Sequence, residues 1–358
     1  MTDRGNSKTV KCIVWDLDET LWDGVLLEGE VALRPEAAAA IKALDERGIL
    51  HSVASKNDRA LAMEQIAAFG LTDYFLCPQI SWDPKSRAVE RIAERLNIGI
   101  DSLAFIDDQP FEREEVRFAH PQVRCLDSRV DLEGLIDRPE MKPRFATEDQ
   151  KRRRLMYQED FSRQAAEESF EGTAEAFLAS LGMQLRIAPA VDDDLQRAEE
   201  LTQRTHQLNS TGYTYDYDEL AALQRSPDHL LLVAQLHDKF GDYGKIGLAL
   251  VENGSDCWTL KLLLMSCRVM TRGVGSALLC DIMRRAKAAG ARLQAEFLET
   301  QRNRPMKITF RFAGFKPAGQ RGDLVLFERD LAEIPPLPGY MDVVAVDRES
   351  LPAEDLAG

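Results

Sequence analysis

KCIVWDLDETLWDG, residues 11–24, is an apolar run that ends abruptly in two aspartates one residue apart, Asp16 and Asp18, with Thr20 just beyond. The design recurs. ILHSVASKND ends in Ser55, Lys56, Asn57 and Asp58; YFLCPQISW leads to Asp83-Pro84-Lys85; SLAFIDDQP ends in Asp107 and Asp108. Between these runs, EAAAAIKALDERG, RALAMEQIAAFG and SRAVERIAERLNI place apolar residues at helical spacing, the first two closing on Gly48 and Gly70. GVLLEGEVALRP reads as a hairpin projecting from the first strand. Strand alternating with helix predicts a parallel sheet with helices on both faces, and each polar cluster falls at a strand's C-terminal end. All of them therefore meet at one rim.

The pattern changes after residue 145. ATEDQKRRRLMYQEDFSRQAAEESF reads as a long exposed helix, whose cluster Lys151 to Arg154 is either a solvated face or a docking patch for an acidic partner. A second hydrophobic pattern starts near residue 172. It predicts strand MQLRIAPA, helix DLQRAEELTQRTHQLN, strand HLLLVAQLHD, turn FGDYG with Asp242, and strands KIGLALVEN and CWTLKLLLMSC. Turn RVMTRGVG, helix SALLCDIMRRAKAAG, strand ARLQAEFLE and a final strand pair follow. The acidic, Pro-containing tail from Ile334 is expected to be loosely attached. The expected division is thus residues 1–145, a helical connector 146–172, a second domain 173–332 and a tail 333–358.

Composition narrows the function. The 358 residues are 44% hydrophobic and 29% charged, ordinary for a globular chain of two or three domains. A net charge of −15 argues against general nucleic-acid binding. No apolar run reaches the roughly 18 residues a membrane span needs, and no secretory segment is evident, so a cytoplasmic protein without membrane contact is expected. The six cysteines lie scattered, without the spacing of a zinc site or a disulfide framework.

Paired aspartates, hydroxyls, a lysine and a second aspartate pair on one rim suit phosphoryl transfer through an aspartyl phosphate. One carboxylate attacks phosphorus, Mg²⁺ and Lys offset the negative charge, and the second aspartate handles the proton. Residues 11–127 resemble the haloacid dehalogenase (HAD) superfamily, whose motifs appear here in order as DxDxT, Ser, Lys and Asp-Asp. The resemblance implies Asp16 as nucleophile and Asp18 as general acid/base, with Ser55 on the phosphoryl oxygens and Lys85 steadying nucleophile and phosphate. It implies Mg²⁺ held by Asp107 and Asp108 with Asp16 and the main-chain carbonyl of Asp18. Thr20, Lys56 and Asn57 are further candidates for holding substrate. The intervals from Thr20 to Ser55 and from Ser55 to Lys85 leave no room for a separate cap domain. The usual DLDNT is DLDET here, and Glu19 is expected to point away by strand alternation.

The second half is similar to the GCN5-related N-acetyltransferase (GNAT) fold. Gly273 and Gly275 stand at the expected helix start, where exposed amides hold an anion. Met270 stands where the first Arg or Gln is expected, a departure that counts against acetyl-CoA and leaves room for a pantetheine arm. Cys267 ends an apolar strand beside Arg268 and Arg272, which are expected to favour its thiolate. His206 is either its base or a surface residue.

Together KCIVWDLDETLWDG, SKND, WDPKS, FIDDQPFEREEVR, LTQRTHQLN, FGDYGKIG and SCRV resemble the FkbH-like family over roughly residues 8–330. That resemblance implies transfer of a glyceryl unit from D-1,3-bisphosphoglycerate to the phosphopantetheine thiol of an acyl carrier protein, with loss of phosphate, in polyketide-type biosynthesis. Cys267 is the expected acyl carrier and Cys12 the second choice. The other expectations are a stand-alone Mg²⁺-dependent phosphatase capped by its second half, and a catalytically silent docking scaffold.

Overall fold

The computed structural model describes residues 9–143, 147–205 and 207–348. The chain forms two α/β units, residues 1–158 and 159–358, and the division falls inside one helix, Arg153–Glu168.

In the first unit five parallel strands lie in the spatial order Gln79–Ile80, Leu50–Ser55, Cys12–Trp15, Leu103–Asp107, Arg124–Asp127. The chain starts in the middle, builds one side, then crosses to the other. Cys12–Trp15 and Leu103–Asp107 therefore flank the reversal of strand order, the place where open α/β sheets bind ligands. Both strands are buried along their whole length, as parallel strands covered on two faces must be. Helices Pro35–Asp45 and Pro110–Ala119 begin on a proline, whose missing N–H costs nothing there, and Asp58 caps Arg59–Ala68 through the amides of Ala60 and Leu61.

Several local expectations are corrected. Of YFLCPQISW only Gln79 and Ile80 form a strand, because Thr72–Tyr74 makes a helical turn and Cys77 takes a left-handed φ of 43°. The cluster Lys151 to Arg154 is not simply solvated. Arg153 donates to the Gly48 carbonyl, and Arg154 bonds Asp45 and lies over the Tyr74 ring. Gly48 is needed for this approach: its φ is 70°, and a Cβ there would stand 2.5 Å from the Gln150 carbonyl oxygen. Glu19 is not on a strand either. The chain has already turned, and Glu19 sits at φ 53° with its carboxylate on the Gly24 amide. An asparagine adopts that backbone more readily, which gives the more usual DLDNT a physical reason.

The second unit is a mixed eight-stranded sheet in the order Lys316–Arg321, Leu324–Arg329, Arg292–Phe297, Cys257–Met265, Gly241–Asn253, His229–Asp238, Met183–Pro189, Met341–Ala345. The parallel pairing of Cys257–Met265 with Arg292–Phe297 spans only Cys257↔Arg292 to Leu260↔Ala295. Beyond it the chain's own residues 208–210 join the two strands: Ser210 N donates to Leu263 O, Met265 N to Leu208 O and Leu298 N to Ser210 O. Helices Asp192–Arg204, Val274–Ala288 and Arg304–Phe312 accompany the sheet, with Tyr217–Arg225 as an element the sequence pattern does not reveal. FGDYG is not a turn but the start of Gly241–Asn253, the reversal being Lys239-Phe240. The tail is not loose. Met341–Ala345 pairs in parallel with Met183–Ile187, and Ile334, Leu337, Tyr340 and Val343 pack on the core, so apolar burial and a free sheet edge anchor it through residue 345. Residues 349–358 of the expected tail, residue 146 of the expected connector and His206 lie outside the described residues. No described helix is long and apolar enough to cross a membrane.

Arg163, 1% exposed, holds this unit's hairpin from the helix Arg153–Glu168: it is bidentate to Asp238 at 2.8 and 3.0 Å and lies 3.8 Å over the Tyr243 ring. Asp238 is held below the usual carboxylate range, since the Arg163 bonds outweigh burial, which acts to raise it. Asp238→Ala would strip the buried guanidinium of its bidentate partner and leave it Asp160 at 2.7 Å; chemical denaturation should show a loss of about 3 kcal/mol in the second unit.

Candidate active site

At the reversal of strand order, the strand Cys12–Trp15 delivers Asp16 and the strand Leu103–Asp107 delivers Asp107, with Asp108 next along the chain. Asp16 N bonds the Ile106 carbonyl at 2.9 Å, so the sheet ladder itself fixes the first carboxylate. Lys85, the first residue of helix Lys85–Arg95, reaches between them. Its Nζ lies 2.8 Å from Asp16 Oδ1 and 2.6 Å from Asp107 Oδ2.

All three groups are buried, and burial sets their protonation. It pushes the Asp16 carboxyl up, against the opposing Lys85 ion pair and a hydrogen bond with Ser55. It raises Asp107 to about 7, helped by the Asp16 charge and opposed by Lys85. For Lys85, burial acts to lower the value, but Asp16 and Asp107 together outweigh it and the ammonium is held above its ordinary range. A lysine near neutral pH thus stays charged, while the two carboxylates compete for too little positive charge.

Asp18 is handled differently. It is only partly buried, and its carboxylate accepts from Trp22 Nε1 at 2.8 Å, Leu26 N at 3.0 Å and Asn57 Nδ2 at 2.9 Å. Three donors fix one rotamer, which a group exchanging a proton with a leaving oxygen requires. Of the other expected site residues, Asn57 positions Asp18, and Ser55 lies against Asp16. Lys56 pairs with Glu112 at 2.7 Å. Thr20 is fully buried. Its hydroxyl accepts from Asp108 N at 3.0 Å, tying the first loop to the last.

Arg113, Ser128 and Arg129 are functional neighbours that the hydrophobic pattern does not mark. Arg113 bonds the Asp107 carbonyl and Asp127; Ser128 N bonds the Asp107 carbonyl; Arg129 pairs with Asp108 Oδ2 at 2.8 Å. Arg113 lies on the helix Pro110–Ala119, and the other two follow the edge strand Arg124–Asp127, elements absent from the strand and helix pattern read above. FEREEVR, with charges at helical spacing after FIDDQP, is the available signal.

Asp16, Asp107 and Asp108 offer oxygens within 4.8 Å of one another. An all-oxygen carboxylate set suits Mg²⁺. Two observations of the site fit this ion: Asp108 Oδ1 is buried without a hydrogen-bond donor among the described residues, and burial pushes both Asp16 and Asp107 toward their neutral forms, which a bound cation would oppose. The Asp18 side chain is taken up by its three donors.

In the second unit Cys267 is exposed, in the turn Cys267–Val269 that follows the strand Cys257–Met265, whereas Cys12 is fully buried and its thiol pushed up by burial and then by Cys77. Arg268 and Arg272 are engaged elsewhere than expected, Arg268 on the Tyr243 carbonyl and Arg272 on Glu167. Gly273 caps the next helix at φ 80°, and a Cβ on Gly275 would stand 2.7 Å from the Met265 methyl, so both glycines have packing reasons of their own. A cavity of about 320 Å³ lies against them, lined also by Met265, Met270, Arg304 and Ile308.

The Asp107 proton must leave when a dication binds. Below pH 7 the metal competes with that proton, so Mg²⁺ affinity should fall about tenfold per pH unit and level off above pH 7. Stability has the opposite sign without metal: a carboxyl raised from 3.8 to about 7 makes the fold less stable as pH rises through that interval. Calorimetric titration of Mg²⁺ between pH 5.5 and 8.5 checks the first statement, and a flat affinity would remove Asp107 from the ligand set.

A family model described as haloacid dehalogenase-like hydrolase matches residues 25–113, a span that holds Ser55, Lys85, Asp107 and Asp108 and begins after Asp18. No curated protein matches the chain. Among solved structures, the chain is similar to the N-terminal part of the Bacteroides fragilis protein BF1531, described as containing a phosphatase domain and complexed with Mg. The identity is 29% over 42% of this chain and 39% of that one, with a TM-score of 0.31, so the chain spans about two fifths of that protein. It is also similar to the ribosomal-protein-S18-alanine N-acetyltransferase of Escherichia coli (17% identity, 42% of this chain and 96% of that one, TM-score 0.33). A third is the PaiA N-acetyltransferase of Thermoplasma acidophilum in complex with coenzyme A (18% identity, 40% and 98%, TM-score 0.34). The family match, laid on five parallel strands that bring Asp16, Lys85 and Asp107 together, makes the first unit a haloacid dehalogenase-like hydrolase domain.

Proposed function

We propose that this protein takes a glyceryl unit from D-1,3-bisphosphoglycerate, removes its ester phosphate at the Asp16 site, and loads it as a thioester on the phosphopantetheine thiol of an acyl carrier protein. The observation that carries the reading is the presence, within one chain, of a buried carboxylate–lysine cluster, Asp16, Lys85 and Asp107, and of an exposed thiol at a strand end, Cys267. The resemblance to the FkbH-like family supplies the substrate and the carrier.

An acyl phosphate is already activated, so no ATP is needed. The Cys267 sulfur attacks the acyl carbon, and the bond to the phosphate oxygen breaks as inorganic phosphate leaves. The phosphate ester at the other end is attacked by an Asp16 oxygen while the acyl phosphate is still in place, and Asp18 gives its proton to the departing alkoxide oxygen. Water then opens the aspartyl phosphate and Asp18 takes up the proton. Lys85 holds Asp16 in place and offsets charge at phosphorus; Ser55 supplies a hydroxyl beside it. Mg²⁺, held by Asp16, Asp107 and Asp108, would neutralise the phosphoryl oxygens. The carrier's thiol finally exchanges with the Cys267 thioester, its pantetheine arm lying in the cavity beside Gly273 and Gly275.

The burial of Cys12 favours Cys267 over it in this role. A second reading, a phosphatase alone, draws support from Arg268 and Arg272, which bond Tyr243 and Glu167 and not the thiol. Intact-mass spectrometry with D-1,3-bisphosphoglycerate, Mg²⁺ and a phosphopantetheinylated carrier separates the two. The expected result is a glyceryl mass on the carrier, lost in Cys267→Ala and replaced by a phosphoglyceryl mass in Asp16→Asn. Phosphate release with a bare carrier, undiminished in Cys267→Ala, would establish the phosphatase instead.

A further inference from the structure

Arg129 stands at the same rim, two residues beyond the edge strand Arg124–Asp127. Its base is fixed: its own amide bonds Asp127 Oδ1 at 3.0 Å, and the amide and hydroxyl of the preceding Ser128 bond the carbonyls of Asp107 and Glu19. Its tip is not. The side chain is 64% exposed and makes one ion pair among the described residues, 2.8 Å to Asp108 Oδ2, whereas the Asp108 side chain is 6% exposed. The neighbouring cations are committed elsewhere, Lys85 between two carboxylates, Arg113 on Asp127 and the Asp107 carbonyl, and Lys56 on Glu112. Arg129 therefore spends this charged contact on a carboxylate that Mg²⁺ also needs, the one whose second oxygen lacks a donor.

A guanidinium and a dication on one small carboxylate repel each other, and only the guanidinium sits on a long, exposed side chain able to leave. We propose that Arg129 is a charge-exchange and specificity residue: it neutralises Asp108 until Mg²⁺ takes that carboxylate, and then turns its guanidinium to the second anionic group of a phosphorylated substrate. That group is a carboxylate or a phosphate, both of which match the planar donor fork. The inference deepens the phosphoryl-transfer reading and rests on it. It makes a substrate with two anionic ends preferred over a simple monoester, and it orders the events, with metal before substrate.

The test begins without turnover. Calorimetric titration of Mg²⁺ into the protein, Arg129→Lys and Arg129→Ala should show tighter binding in Arg129→Ala by about three- to tenfold, because a competitor for Asp108 is gone, and an intermediate value in Arg129→Lys. The same proteins are then given 3-phosphoglycerate and p-nitrophenyl phosphate. In Arg129→Ala the ratio of the two kcat/KM values should shift against 3-phosphoglycerate by about tenfold, with the loss in KM. Unchanged or weaker Mg²⁺ binding in Arg129→Ala overturns the proposal, as does an equal loss for both substrates. Tighter Mg²⁺ binding with neither substrate hydrolysed by any of the proteins keeps the exchange and sinks the phosphoryl-transfer reading, so the two failures are distinguishable.

Discussion

The contact of Lys85 Nζ with Asp16 and Asp107 is the interaction on which the first unit's chemistry depends. Two carboxylates facing each other at the end of a buried parallel sheet repel, and neither has water to disperse its charge. The lysine makes their proximity tolerable, and it does so only because the proline before it starts a helix at that position, with Lys85 as the first residue. Three carboxyls, Asp16, Asp107 and Asp108, stand against two cations, Lys85 and Arg129, and burial answers the excess by pushing Asp16 and Asp107 toward their neutral forms.

The two aspartates of the opening motif are held in opposite ways. Asp16 is placed by backbone pairing in the sheet and sits in a dry environment against the Lys85 ammonium. Asp18 lies beyond the turn, partly exposed, and is held by three donors, two from the segment 22–26 and one from Asn57. The turn that separates them needs a left-handed residue, Glu19, whose carbonyl also accepts from Ser128. A strained backbone at the motif is thus tied to the last strand's loop, and Thr20 ties it again through Asp108 N. Geometry at the rim is shared between the first and last loops of the sheet.

In the second unit the informative feature is where pairing stops. The parallel strands Cys257–Met265 and Arg292–Phe297 separate after Leu260 and Ala295, and residues 208–210 satisfy the backbone groups left open. The strand's far end is consequently held in place up to Met265, and Cys267 emerges from it into solvent. Exposure is what distinguishes this thiol from the buried Cys12 and Cys280. The cavity beside Gly273 and Gly275 has Leu208 and Met265 in its wall.

Hydrophobic alternation is enough to read the order of strands and helices through most of the first unit and the rim on which Asp16, Ser55, Lys85, Asp107 and Asp108 meet, because in a parallel sheet every strand's C-terminal end faces the same way. It does not reveal which carboxylates Lys85 bridges, that Thr20 is buried, or that Asn57 serves Asp18. Those are contacts between segments far apart in sequence, set by strand order and side-chain reach. The tail reads as loose because its composition is polar and Pro-containing, yet spaced apolar residues and an open sheet edge hold it down to residue 345. Arg268 and Arg272 lie beside Cys267 in sequence and turn away in space, toward Tyr243 and Glu167. Arg129 is 21 residues from Asp108 and turns toward it. Local pattern determined which residues sit at strand ends; only the packed chain decided which charges meet, since a charge's partner is chosen by distance in the fold and by what else has been taken out of water.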